Sequence, residues 1–544
     1  MKVYKILIPV ILLIWACGPA EKEPYTFKVS DMDKHMEILA SDEFEGRMPF
    51  SRGEEKTIKY LEDQFKLYGL DPGNGDSYYQ DVPLASITST AAPTMTVSSS
   101  SESVTLEGLK DYVIWTQRVE EVSFEETEII FVGFGIIAPE YGWDDYKNID
   151  VEGKIVMMLV NDPGFGTEDS GFFKGNTMTY YGRWTYKYEE AIRQGALGVL
   201  IVHNTIPAGY GFNVVQNRWN AEQLYLDDRE EDNYKLGFEG WVTLPTANKL
   251  FEMAGMNERE MLAKARKADF QAVSMGLNAS SSLTVEAKYD VSKNVIAKID
   301  GSTRPNEYII YTAHWDHLGI GTPDETGDSI YNGAFDNASG TAALLALAKG
   351  FSESERPERS IVFLAVTAEE QGLWGSLYYA LNPIYPKERT VGNINMDGVN
   401  PYGSMKDVSV IGQGQSEMED LLEVELKKVG RYSSPDPTPT AGYYFRSDHF
   451  SFAKVGIPAL YFGNGLDHVE GGVEYGRKKE DEYIQLYYHK PSDGYDPETW
   501  DFSGAVDDVQ LLYSIGMNLG NSEIWPSWKE GSEFKAIRDA YMKK

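Results

Sequence analysis

Histidines are few in this chain, seven in 544 residues, and five of them (His314, His317, His449, His468 and His489) lie in its later part. The densest group closes the run YIIYTAHWDHLG, where an apolar stretch gives way to His314, Asp316 and His317 within four residues. Carboxylates stand at comparable places further on: Asp336 just before NASGTAALLALAKG, the pair Glu369 and Glu370 after SIVFLAVTA, and Asp397 after GNINM, with His489 later in YYHKPSD. Carboxylates gathered in one place repel one another and hold protons unless a cation neutralises them. Oxygen and imidazole donors with no thiolate suit zinc, or manganese or cobalt, and a carboxylate shared by two ions sets them ~3.5–4 Å apart. The chemistry to expect is hydrolysis, in which a carbonyl is polarised, a water is activated, and a free carboxylate moves the proton. Adjacent Glu369 and Glu370 suit that division, one on metal and the other free.

The elements that position these groups read as alternating strands and helices. EYIIYTA (307–313), SIVFLAVTA (360–368), GNINMD (392–397), DVSVIG (407–412) and GIPALYFG (456–463) are strand-like, with helices predicted over 337–350 and within 416–430. That alternation implies an α/β fold with a doubly wound mixed sheet. In such open sheets the site lies beyond the carboxyl ends of the strands, where the polar groups fall.

The chain before it is organised differently. Residues 26–70 read as helices, one carrying His35 as a structural histidine. From Tyr79 the pattern turns to short alternating strands, and TEIIFVGFGI (127–136), GKIVMMLV (153–160) and AIRQGALGVLIVHN (191–204) form a set of their own; His203 there reads as structural. The expected division is a signal segment at 1–17, a tether at 18–25, an N-terminal part of the main domain at 26–126, a mainly-β insert at 127–285 and the rest of the main domain at 286–544. The signal segment is a short basic region, Lys2 and Lys5, then an apolar run from Ile6 to Ala16, too short for a permanent span. The single cysteine, Cys17, ends it in IWAC, which resembles a bacterial lipobox and implies export with a lipid anchor at the cell envelope, in the periplasm or at the outer membrane; the alternative is a plain signal peptide with an incidental cysteine, and a secreted protein. One cysteine excludes an internal disulfide. With 84 acidic against 50 basic residues the net charge is −34, which argues against nucleic acid and anionic lipid headgroups as partners.

Six motifs then carry a resemblance: TAHWDHLG, NGAFDNASG, TAEEQGLWGS, NINMDG, RSDHFSFAKVGIPAL and YYHKPSD occur in the order found in the M28 metallopeptidases, the dinuclear zinc aminopeptidase type. The match covers 294–520, and the insert resembles a protease-associated domain. The resemblance implies two zinc ions, one on His314, Asp336 and Asp397, the other on Asp336, Glu370 and His489, with Asp336 as the bridge. It implies Glu369 as general base, Asp316 as the carboxylate that orients His314, and a cis peptide bond after Asp336. Asp493 would serve His489 in the same way, and Tyr488, or else His449, would donate to the oxyanion. Many relatives have Asp where this chain has Phe335, a departure that leaves the ligand set complete. If the strand alternation continues through 317, His317 faces away from His314 as scaffold, and His468 belongs to a loop beside the cleft.

The implied function is removal of N-terminal residues from peptides. The alternatives are a carboxypeptidase or dipeptidase on the same scaffold, a receptor-like protein without catalysis, and a glutaminyl cyclase, disfavoured because that chemistry uses one zinc.

Overall fold

The computed structural model describes residues 24–543 apart from 232. The expected signal segment with Cys17, and all but the end of the expected tether, lie outside the described residues. Two helices come first, α1 (Ser30–Leu39) and α2 (Arg52–Leu67), each burying one stripe: Met32, Met36 and Leu39 on α1, Leu61 and Phe65 on α2. The Ser51 hydroxyl starts α2 by accepting from the Gly53 and Glu54 N–H groups.

β1 (Tyr79–Ala91) then carries the chain away from these helices, and β2 (Val273–Ile299) brings it back. The two pair antiparallel without interruption, from Ala91 beside Leu283 to Tyr79 beside Val295. Between them lies the insert. Its strands Val122–Phe131, Ile155–Leu159, Gly198–His203 and Glu239–Thr243 pair in parallel, and its helix α3 (Trp184–Arg193) precedes the third. Alternate strand residues bury apolar side chains on both faces, Ile129, Met157 and Leu200 on one, Ile130, Val156 and Val199 on the other.

After β2 the chain alternates regularly: β3 (Arg304–His314), α4 (Gly340–Glu353), β4 (Arg359–Val366), α5 (Trp374–Leu381) and β5 (Thr390–Asn395). α6 (His449–Lys454), β6 (Ala459–Asn464), α7 (Gly472–Leu486) and α8 (Ser503–Asn521) complete it. The end of β2 is antiparallel to β4, and β4, β3, β5 and β6 follow side by side in parallel. One face of this sheet, with Ile309, Tyr311 and Phe363, packs under α4 and α8; the other, with Ile310, Val362 and Leu364, packs under α5 and α6. All eight residues of β4 are buried, as expected of a strand covered on both faces. The fold is therefore the expected α/β type with a mixed sheet wound on both sides.

Two of the expected domain boundaries fall within strands. The boundary at 126/127 cuts the strand Val122–Phe131, and that at 285/286 cuts β2. Strands Thr94–Ser98, Ser103–Glu107 and Tyr112–Trp115, assigned above to the main domain, place Met95, Leu106 and Ile114 in the insert's core, which runs from Ala91 to Leu283. An alternating pattern identifies a strand without saying which sheet it joins.

Candidate active site

Three parallel neighbours deliver the cluster. His314 is the last residue of β3 and lies beside Val366, the last of β4, while Thr312 lies beside Asn395, the last of β5. Glu369, Glu370 and Asp397 thus leave the sheet at the same edge. The backbone at Ala368 is left-handed (φ 52°), which turns the chain sharply after β4 and brings the two glutamates under β3.

The Asp316 carboxylate secures that turn: the N–H groups of Glu369 and Glu370 donate to its two oxygens at 3.0 and 3.4 Å. His314 is oriented differently from expectation. Its Nδ1 lies 3.1 Å from the Asp316 backbone carbonyl and 3.9 Å from the carboxylate, so Asp316 orients the ring mainly through its main chain. The Thr341 hydroxyl donates to the His314 carbonyl at 2.8 Å and ties α4 to the strand end.

Asp336 stands before α4, and the peptide bond to Asn337 is cis. Asp493 accepts from the Phe335 and Asp336 N–H groups at 3.1 and 3.3 Å. It therefore positions Asp336, and the expected pairing with His489 is not formed. Asn337 donates to the Met396 carbonyl and accepts from Gly340 and Gly398, joining the α4 start to the β5 loop. A Cβ at Gly340 would come within 2.2 Å of the Asn337 side chain, so this approach requires glycine.

The two oxygens of Asp336 face two different histidines, Oδ1 at 3.3 Å from His314 Nε2 and Oδ2 at 3.2 Å from His489 Nε2. Asp397 closes one end, 3.2 Å from His314 Nε2, and Glu370 the other, 3.1 Å from His489 Nε2. Glu369 lies 3.8 Å from His314 Nε2, and its carboxylate receives no hydrogen bond among the described residues. Donor atoms of His314, Asp336 and Glu370, and of His314, Glu369 and Asp397, lie within 4.8 Å of one another. Imidazole nitrogens and carboxylate oxygens so gathered fit divalent ions of the zinc type.

The charges divide the carboxylates into two kinds. Burial pushes Glu369 well above the ordinary carboxylate range, with the Asp397 and Glu370 charges adding to it. For Asp336 burial acts in the same direction, but hydrogen bonds from His314 and His489 outweigh it and hold the group well below that range. Glu370 is likewise lowered, by His489 and His317 against burial and the Asp336 charge. Burial thus favours the neutral form of Glu369, while the neighbouring imidazoles favour the anionic forms of Asp336 and Glu370.

His317 departs from its expected orientation. Its Nδ1 lies 2.5 Å from Glu370 Oε1, because β3 ends at His314 and strand alternation no longer governs the next three residues. Tyr488 stacks on the His489 ring, with centroids 3.9 Å apart, and lines the cavity without a hydrogen bond to the cluster. His449 is buried between Tyr444 and Tyr461, both ring nitrogens without a partner among the described residues, and is absent from the cavity wall. His468 caps its own loop, Nδ1 accepting from Glu470 and Gly471.

Sequence reasoning missed two contributions. Arg47, fully buried, donates to the Trp315, Asn332 and Gly333 carbonyls and so clamps the His314 and Asp336 loops together. The cluster also opens into a cavity of about 460 Å³ that the insert helps to build through Arg183, Trp184 and Arg218. A lone arginine distant in sequence carries no local signal for either.

Residues 294–514 match Peptidase family M28. Among similar proteins is a probable zinc metalloprotease of Leptosphaeria maculans, 36% identical over 104 residues, which cover 19% of this chain and 23% of that protein. Another is aminopeptidase NAALADL1 of Mus musculus, 37% identical over 226 residues, 38% of this chain and 28% of that one. The chain thus spans about a quarter of the length of these relatives. Among solved structures, an aminopeptidase from Aneurinibacillus sp. strain AM-1 is similar at a TM-score of 0.48 and 21% identity, over 92% of this chain and 95% of that one. The similarity to Peptidase family M28 thus lies over residues 294–514, the part of the chain that carries the cluster.

Proposed function

We propose that the protein is a zinc exopeptidase that removes N-terminal residues from peptides. The observation that carries this reading is Asp336, whose two oxygens each face a histidine, with Asp397 and Glu370 at the two ends and Glu369 left over. His314, Asp336 and Asp397 would hold one ion, Asp336, Glu370 and His489 the second. Bound ions of this kind supply Lewis acidity and an acidified water.

The remaining work belongs to the chain's own groups. Glu369 takes a proton from the water as oxygen adds to the scissile carbonyl carbon, then gives it to the amine nitrogen as the C–N bond breaks. Asp316 holds the Glu369 main chain so that this carboxylate stays near His314 without a competing donor. Tyr488, on the cavity wall beside His489, donates to the developing oxyanion. The insert, read as a protease-associated domain, forms part of the substrate cavity. The apolar N-terminus ending in Cys17 supports reading the enzyme as a lipoprotein of the bacterial cell envelope.

The test is to incubate the zinc-loaded protein with free and N-acetylated peptides, with and without a chelator, and to identify the released residue. Release of the first residue from free peptides only, abolished by the chelator, is expected. Equal cleavage of acetylated peptides would overturn the aminopeptidase reading.

A further inference from the structure

Two buried side chains outside the ligand set converge on the cluster, and the proposed reaction gives neither of them a task. Arg47 is 1% exposed, and among the described residues no carboxylate lies within 4.0 Å of its guanidinium. Its donors go to main-chain carbonyls instead: Nε to Trp315 at 2.9 Å, one terminal nitrogen to Leu39 and Asn332 at 2.6 Å each, the other to Gly333 at 2.9 Å. His317 is fully buried; its Nδ1 donates to Glu370 Oε1 at 2.5 Å, and its Nε2 has no partner among the described residues.

A short antiparallel arm joins the two. Gly319 and Ile320 pair with Tyr331 and Ile330, so the chain leaves the site through His317 and returns through Gly333, three residues before Asp336. Arg47 bonds both roots of this arm, Trp315 on one side and Asn332 and Gly333 on the other. The backbone at Gly333 is left-handed (φ 52°), and a Cβ there would lie 2.4 Å from the His317 ring, so the returning root packs directly on the imidazole. Asp42, in the same segment as Arg47, accepts from the Asn332 side chain at 2.8 Å. Residues 42–47 are thus connected through the arm's roots to Asp336 and Glu370, two of the three groups assigned to the second ion.

A buried cation is ordinarily paired, because an uncompensated charge removed from water is costly. Burial pulls Arg47 down to about 10, and the charges that oppose this are those of Asp316, Asp493, Asp336 and Glu370. Arg47 is therefore balanced by the carboxylates of the site itself. Its planar fork serves carbonyls in several directions at once, which the single nitrogen of a lysine does not reproduce. The third group, His489, has a side chain 36% exposed, whereas His314 on the first ion is 1% exposed and anchored through Nδ1. The second ion's place accordingly depends on how firmly Asp336 and Glu370 are held. Neither Arg47 nor His317 borders the cavity, so both act on the reaction through the ion and not through substrate.

We propose that Arg47 and His317 are positioning residues for the second ion: they fix Asp336 and Glu370 from behind, so that the N-terminal segment carrying Arg47 sets how tightly that ion is held. This rests on the two-ion reading above.

The experiment measures zinc bound per full chain over a series of buffered free-zinc concentrations, by atomic absorption, with circular dichroism checking that each variant is folded. The unaltered protein should take up two ions. His317→Leu, which fills space without a donor, should weaken one ion by at least ~10-fold and leave the other unchanged. His317→Asn, whose amide can donate where Nδ1 does, should recover most of that loss. Arg47→Lys keeps the charge, loses the fork and should weaken the same ion. In His317→Leu and Arg47→Lys, kcat should fall at limiting zinc and return in excess zinc, with KM unaltered. Equal loss of both ions, or no gain of His317→Asn over His317→Leu, would reduce these residues to packing and overturn the proposal. Should Arg47→Lys not fold, the His317 pair decides. A single ion in the unaltered protein would overturn the two-ion reading itself; two ions with unchanged affinities in the variants would overturn the positioning role alone.

Discussion

The insert and the main sheet both bury carboxylates, and they treat them in opposite ways. Asp145 in the insert is 1% exposed and accepts from the Phe134 and Ile136 N–H groups and the Trp143 indole. Asp162 is equally buried and accepts from Gly164 and from the Thr179 N–H and hydroxyl, while Lys187 nearby donates to the Phe134 carbonyl. Glu369 is 9% exposed, receives no hydrogen bond among the described residues and borders the cavity. Burial raises Asp145 to about 7 and lifts Glu369 as well. A perturbed carboxylate therefore does not mark a site; a perturbed carboxylate with unfilled acceptor capacity at a cavity does.

That contrast can be broken at several points. The largest effect is expected at Asp336, where Asn would leave each histidine facing a neutral group; bound zinc should fall at least ~10-fold by atomic absorption, and activity with it. Retained zinc in Asp336→Asn would remove this residue from the ligand set. Glu369→Gln should keep zinc yet lower kcat by roughly 10²- to 10⁴-fold, the usual contribution of a positioned base. Undiminished turnover would show that another group moves the proton.

Asp145→Ala should act on stability alone. It leaves two buried N–H groups and an indole N–H without an acceptor, for a loss of about 3 kcal/mol by denaturant titration, with zinc content and kcat unaltered. A large loss of kcat in a stably folded Asp145→Ala would blur the distinction between the regions.

The smallest effect concerns a histidine used as scaffold. His35 is fully buried, its ring nitrogens on the Tyr60 and Tyr68 hydroxyls, and burial lowers it to about 3. The unfolded chain then binds the proton more tightly than the folded one. Its contribution to stability is complete above the unfolded value near 6.5 and is lost as pH falls toward 3, about 2 kcal/mol at pH 5. The drop in unfolding free energy between pH 7 and 5 should be smaller by that amount in His35→Gln; an unchanged drop would show that the ring titrates normally.

Much of the site was legible because it sits at strand ends. Apolar runs such as IVFLAV can only be covered strands, and the polar residue that follows each one is placed by the strand itself. Alternation failed where the strand stopped: His317 was assigned to the far face, yet it lies three residues past the end of β3 and meets Glu370. It also failed to divide the chain, since β1 and β2 run from one core into the other without a break in pattern. The resemblance paired Asp316 with His314 and Asp493 with His489, whereas their carboxylates accept from main-chain N–H groups brought close by folding.

The sequence by itself determined the alternation of strand and helix, the order of the donor groups along it and the absence of a thiolate among them, because these depend on residue type and local period. Only the tertiary structure decided that Asp336 faces two histidines at once, that Arg47 clamps both ligand loops, and that Arg183 and Arg446, 263 positions apart in number, border one cavity. Such contacts join segments with no local relation, and their geometry is set by how the insert and the sheet pack together.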